Sequence, residues 1–211
     1  MSAAPAQALV DAPQSSSATD GGPLTPEHQR ALAEANQRVR KVMAAGKMAA
    51  FNGWTSGIFA ALTLPFALFS LTALVVGAAL ALVAWNEFRG RKLLLHFDGR
   101  GPRVLGWNQL GFMTLLIGYG LWGIYSALTG PNPYADQIKA MPELEQMLGP
   151  IDEMHLILAV AVYGCLIVFS AIFQGLNALY YFTRRKHLDA YLVRTPLWIV
   201  DLQKFSAGGG E

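Results

Sequence analysis

Residues 48–86, MAAFNGWTSGIFAALTLPFALFSLTALVVGAALALVAWN, decide the fold: 39 consecutive residues between Lys47 and Glu87 carry no Asp, Glu, Lys or Arg. A spanning helix needs about 20 apolar residues to cross roughly 30 Å of hydrocarbon. At 1.5 Å per residue, one unbroken helix over this stretch would run about 58 Å, nearly twice that thickness. The stretch is therefore expected to fold back once. Pro65, Ser70 and Thr72 lie close to its midpoint at Ala67 and supply a kink followed by weak turn formers. Two arms result, about residues 49–69 and 71–88.

Two more charge-free windows follow, 32 residues between Arg103 and Asp136 and 30 between Glu153 and Arg184. They place a third span at about 107–128 and a fourth at about 156–182. Composition agrees. Of 211 residues, 53% are hydrophobic and 14% charged, with a mean hydropathy of +0.33, whereas a soluble domain has about a quarter charged. The expectation is an all-α, integral membrane four-helix bundle over residues 49–183. An aromatic share of 11% excludes a wholly disordered or collagenous chain. The single cysteine, Cys165, excludes an internal disulfide framework and reads as an inert packing residue in mid-span. A net charge of +2 excludes nucleic-acid binding by phosphate neutralisation.

Basic residues set the orientation, because cytoplasmic segments collect Lys and Arg. Arg30, Arg38, Arg40, Lys41 and Lys47 precede the first span. Arg89, Arg91, Lys92, Arg100 and Arg103 follow the second, and Arg184, Arg185, Lys186, Arg194 and Lys204 follow the fourth. The third connection has only Lys139, beside five acids. Both termini are expected in the cytoplasm, in a bacterial-type inner membrane.

Outside the spans, residues 1–24 have the Ala, Pro, Ser and Gly content of a disordered cytoplasmic tail and lack the pattern of a signal peptide. Thr25, Pro26 and Glu27 open a cytoplasmic helix within 25–48, with a hydroxyl cap, a proline at the first position and an acid in the first turn. Leu32, Ala35, Val39 and Val42 form its narrow apolar stripe, for packing on this chain's own surface or on a partner. Ile138, Met141, Leu144 and Leu148 predict a short outer amphipathic cap. Residues 184–205 read as interfacial helices: Leu188, Tyr191 and Leu192 share a face, and Thr195-Pro196 starts a second helix with Leu197, Trp198, Ile199 and Leu202. Residues 206–211 read as a loose tail.

Ionisable groups inside a membrane are costly and mark sites of chemistry, yet all three windows lack Asp, Glu, Lys and Arg. What they hold or adjoin are carboxamides: Asn52, Asn86, Asn108, Gln109, Gln174 and Asn177, all toward the cytoplasmic side of the expected topology. These six form the candidate polar cluster, either cross-linking helices or lining a pocket for a small ligand or head group. On the fourth span Tyr163, Ser170, Gln174, Asn177 and Tyr181 share a face. Gly53 and Gly57, together with Ala73, Gly77 and Ala81, are small residues at fourfold spacing that let helices approach within one chain or between two. Gly106, Gly111, Gly118, Gly120 and Gly123 give the third span the same option.

No metal-ligand spacing, GxGxxG, Walker A loop, GxSxG or HExxH occurs, so no catalytic, cofactor-binding or metal residue is assigned and no cofactor is expected. The functional expectation is a non-enzymatic interaction or assembly component, with membrane lipids and a protein partner or second copy as its contacts. A small channel or carrier for a neutral solute or lipid is the alternative. A lipid-acting enzyme would recruit Glu87, His96, Asp98 and His187 from the charged rim.

Overall fold

The computed structural model describes residues 24–131, 133 and 151–208, which fold into five helices. These are α1 (Pro26–Ala67), α2 (Leu71–Leu95), α3 (Gly101–Thr129), α4 (Ile151–Arg194) and α5 (Leu197–Gly208). No strand occurs among the described residues. The expected outer cap around Met141 and Leu144 lies outside them. Three helices are long and apolar enough to cross a membrane: α2, α3 and the Glu153–Arg194 length of α4.

The helix expected within 25–48 and the first arm expected at 49–69 are one helix of 42 residues, about 63 Å long. Thr25 caps it, its hydroxyl accepting from the His28 N–H at 3.3 Å. Between Ala45 and Phe51 the only weak helix former is Gly46, so nothing ends the helix there. Pro65 falls in the last turn, and the chain reverses through residues 68–70. Ser70, extended at φ −142°, caps α2 by accepting from the Ala73 N–H at 3.3 Å. At the other end α5 runs to Gly208, so residues 206–208 continue a helix rather than loosening.

The α2–α3 turn is built on a residue that would ordinarily be glycine. Phe97 has φ +55°, with its N–H bonded to the Leu94 carbonyl and the Asp98 N–H to that of Leu93, the paired bonds of a left-handed helix terminator. The left-handed backbone costs a phenylalanine about 1–2 kcal/mol. Burial offsets this: the Phe97 ring is enclosed, with its centroid 5.0 Å from that of Tyr191. The Asp98 carboxylate then accepts from the Arg100 backbone N–H at 2.8 Å and from its guanidinium at 2.7 Å.

α1 packs along α2, and α3 along α4, as two hairpins. Small residues permit the approach within each. A Cβ on Gly53 would stand 3.2 Å from that of Glu87, and one on Gly123 would enter the Tyr163 ring. Where the hairpins meet, Gly90 lies so close to Leu105 that an added Cβ would fall 2.5 Å from it.

Burial is concentrated at the end holding Thr25, the α2–α3 turn and α5, here the terminal end. The buried residues of α1 stop at Ser56, those of α2 start at Val83, and those of α3 end at Gln109 apart from Gly120. The stripe Ala35, Val39, Val42, Ala45 and Ala49 packs in one core with Leu94, Leu105, Leu188, Tyr191 and Ile199. Its role is therefore internal. Arg38 of α1 caps the end of α4, its guanidinium donating to the Arg194 carbonyl at 3.0 Å. α5 is pinned by Gln203, which donates to the Asn36 Oδ1 at 2.8 Å and accepts from the Tyr191 hydroxyl.

Candidate functional site

Glu87 is the hub of the candidate site. It falls on the buried face of α2 with Val83, Gly90 and Leu94, at successive steps of four, three and four residues, and its exposure is 0%. α3 presents consecutive carboxamides to it: Asn108 Nδ2 donates to Glu87 Oε1 at 2.9 Å, and Gln109 Nε2 to the same oxygen at 2.6 Å. Asn108 also donates to the Val83 carbonyl at 3.0 Å, tying α3 to the α2 backbone. From α4, the Tyr181 hydroxyl donates to Glu87 Oε2 at 3.3 Å, and from α1, Asn52 Nδ2 donates to the Tyr181 oxygen at 3.1 Å. One carboxylate thus joins four helices.

The chemistry of the junction follows from its inventory. A carboxylate offers two oxygens and about four acceptor positions, and three neutral donors reach it here. Leaving such donors unpaired in a dry interior costs about 1–3 kcal/mol each, so the four helices are coupled through Glu87. Gln109 Oε1 is buried without a hydrogen-bond partner, the one unsatisfied atom among these groups.

Of the six carboxamides singled out from sequence, the structure brings Asn52, Asn108 and Gln109 together around Glu87 and Tyr181. Asn86, one position from Glu87 and so about 100° around the helix, is half-buried on a separate groove between α2 and α3. Gln174 and Asn177 are half-buried on α4, with no side-chain hydrogen bond among the described residues. The face they share is turned in part toward α3: Tyr163 lies over Gly123 with its ring edge-on to Tyr119, and Ser170 is buried.

Glu87 closes a charge-free window in the sequence, the position of a charged rim. Its place on the stripe with Val83, Gly90 and Leu94 is the signal that marks it as interior. The set Glu87, His96, Asp98 and His187 does not converge. His96 is exposed beside the Lys92 carbonyl, Asp98 is held by Arg100, and His187 lines a shallow groove with Lys41 and Arg194. Hydrogen bonds from the Arg100 side chain, then its backbone N–H, hold the Asp98 carboxyl below the usual carboxylate range. Cys165 is exposed on α4, not packed. Among the described residues no three His, Cys, Asp or Glu side chains gather as a metal site.

An α2–α3 groove of about 640 Å³ opens next to the junction, walled by Val83 and Asn108 from the junction side. A second of about 310 Å³ lies toward the far end, where Tyr119, Trp122, Ser126 and Tyr163 line it. No family model, no curated protein and no solved structure matches this chain, so its site stands on its own geometry.

Proposed function

We propose that this protein is a non-enzymatic interaction or assembly component of a bacterial-type inner membrane, with four spans and both termini in the cytoplasm. The observation that carries the reading is where the polar side chains are spent. Glu87, Asn52, Asn108, Gln109 and Tyr181 bond to one another and clamp two hairpins at one end. Beyond the clamp the hairpins keep large apolar side chains on their outside, among them Leu62, Leu64, Phe66, Val168 and Phe173. A polar clamp spent on joining two hairpins, with apolar side chains exposed on their outside, suits the capture of another transmembrane helix better than turnover of a substrate.

Residues 49–67 of α1, packed along α2, supply the fourth span in this reading. Among the described residues every Lys and Arg falls at the terminal end, which supports a cytoplasmic placement there. α5 lies along the inner leaflet, with Leu197, Trp198, Leu202 and Phe205 exposed and Ile199 and Val200 buried.

The test is native mass spectrometry of the protein extracted in its own lipids, with a photo-crosslinker at Leu62 or Val168. A discrete protein adduct at these positions, absent when the crosslinker replaces Lys186 at the terminal end, is expected. A monomer whose only adducts are lipid at every position defeats the interaction role.

A further inference from the structure

We infer that the α2–α3 groove is a binding site for one anionic phospholipid, its phosphate between Arg89 and Arg103 and an acyl chain running down the helices. This rests on the membrane reading of the chain, not on its interaction role. The groove is amphipathic in the direction a membrane would require. At its upper end stand Arg89, Arg100, Arg103 and the half-buried Asn86, with Trp107 exposed at the same level. Below them it is walled by Ala79, Leu82, Val83, Phe112 and Leu115.

Charge decides the head group. Arg100 is spent on Asp98 at 2.7 Å, but among the described residues Arg89 and Arg103 make no ion pair, and both are exposed. Two free guanidiniums are planar, multi-donor partners for a phosphate diester. Trp107 beside them is a residue type that settles at the membrane boundary, which sets the depth of the pair.

Length decides the tail. From Arg103 to Leu115 the groove follows α3 for about 18 Å, and from Arg89 to Ala79 it follows α2 for about 15 Å. One leaflet of hydrocarbon is about 15 Å deep. The floor is open at Gly111, where an added Cβ would meet nothing within 4 Å, so a chain can lie against the α3 backbone.

The experiment uses the full chain in detergent, stripped of lipid and titrated with phosphatidylglycerol or with phosphatidylcholine of the same acyl chains, bound lipid being counted by native mass spectrometry. One phosphatidylglycerol should bind with clear preference over phosphatidylcholine. The R89Q/R103Q double variant should lose that preference, a drop of about 25-fold if each surface cation contributes roughly fivefold. R89K/R103K should retain much of it. G111L should block the acyl path with both charges intact, and Lys186→Gln, an exposed basic residue of α4, should bind as the wild type does. Equal affinity of the wild type for both lipids overturns the proposal, as does unchanged phosphatidylglycerol binding in R89Q/R103Q. Displacement by inorganic phosphate, with G111L unaffected, overturns it in favour of a soluble anion. Recovery of the chain outside the membrane fraction would instead remove the membrane reading beneath it.

Discussion

The two ends of the hairpins are built by different rules. At the terminal end large side chains interlock: Val42, Leu94, Leu105, Leu188, Tyr191 and Ile199 are all buried, drawn from α1, α2, α3, α4 and α5. At the far end side chains of the same size, Leu62, Leu64 and Phe66, point outward, and contact relies on small residues, such as Gly77 against Thr63 and Gly120 against Ile167. The hydrophobic effect explains the contrast. In the proposed four-span arrangement, burying a leucine removes it from water at the terminal end, a gain of about 1.5–3 kcal/mol, whereas at the far end lipid is as apolar as leucine and offers no such gain. Glu87 stands at the border, where hydrogen bonds take over from hydrophobic burial.

Breaking that border gives the largest expected effect. Glu87→Leu strands the Asn108, Gln109 and Tyr181 donors and should cost about 4 kcal/mol, read as loss of cooperative melting in detergent. Glu87→Gln should cost markedly less, because a flipped Gln109 can turn its orphaned Oε1 to the new amide. Equal damage from both variants would mean that the negative charge, not donor pairing, holds the helices.

Next is the contrast between the ends themselves. Leu94→Ala should lose about 3 kcal/mol, while Leu62→Ala should stay within about 0.5 kcal/mol. Comparable losses in a denaturant titration would abolish the distinction between the two ends. Glycine substitutions sharpen it further: Gly90→Ala drives a methyl into Leu105 and should cost about 1–3 kcal/mol, whereas Gly111→Ala should be neutral or gain up to about 1 kcal/mol of helix propensity.

The smallest effect belongs to the α2–α3 turn. The Asp98 carboxyl is held below its ordinary value in the folded protein, so its stabilisation is complete above the unfolded carboxylate range, near pH 4. It is lost as pH falls through the folded value. Asp98→Asn should therefore narrow the difference in melting temperature between neutral and acidic buffer only slightly, because water screens this exposed ion pair.

The apolar lengths of α2, α3 and α4 were legible as charge-free windows, and the caps at Thr25 and Ser70 were legible from residue type alone. The stripe Ala35, Val39 and Val42 was legible as a face but not as to what covers it, since periodicity along one helix carries no information about its neighbour. The polar centre was half legible. Asn52, Asn108 and Gln109 stand out as carboxamides in apolar surroundings, but the carboxylate that unites them adjoins Arg89, Arg91 and Lys92 in sequence and so carries the signature of a solvated rim.

Sequence by itself determined that this chain is helical, where its apolar lengths run and that its basic residues gather apart from Lys139, because chain length, hydropathy and charge act locally along the polymer. Only the tertiary structure decided that Glu87 is the meeting point of α1, α2, α3 and α4, that Asn86 faces the groove instead, and that Phe97 takes the left-handed turn. Those outcomes depend on how helices are rotated and seated against each other. That register is set by contacts between residues as distant as Asn52 and Tyr181, 129 positions apart.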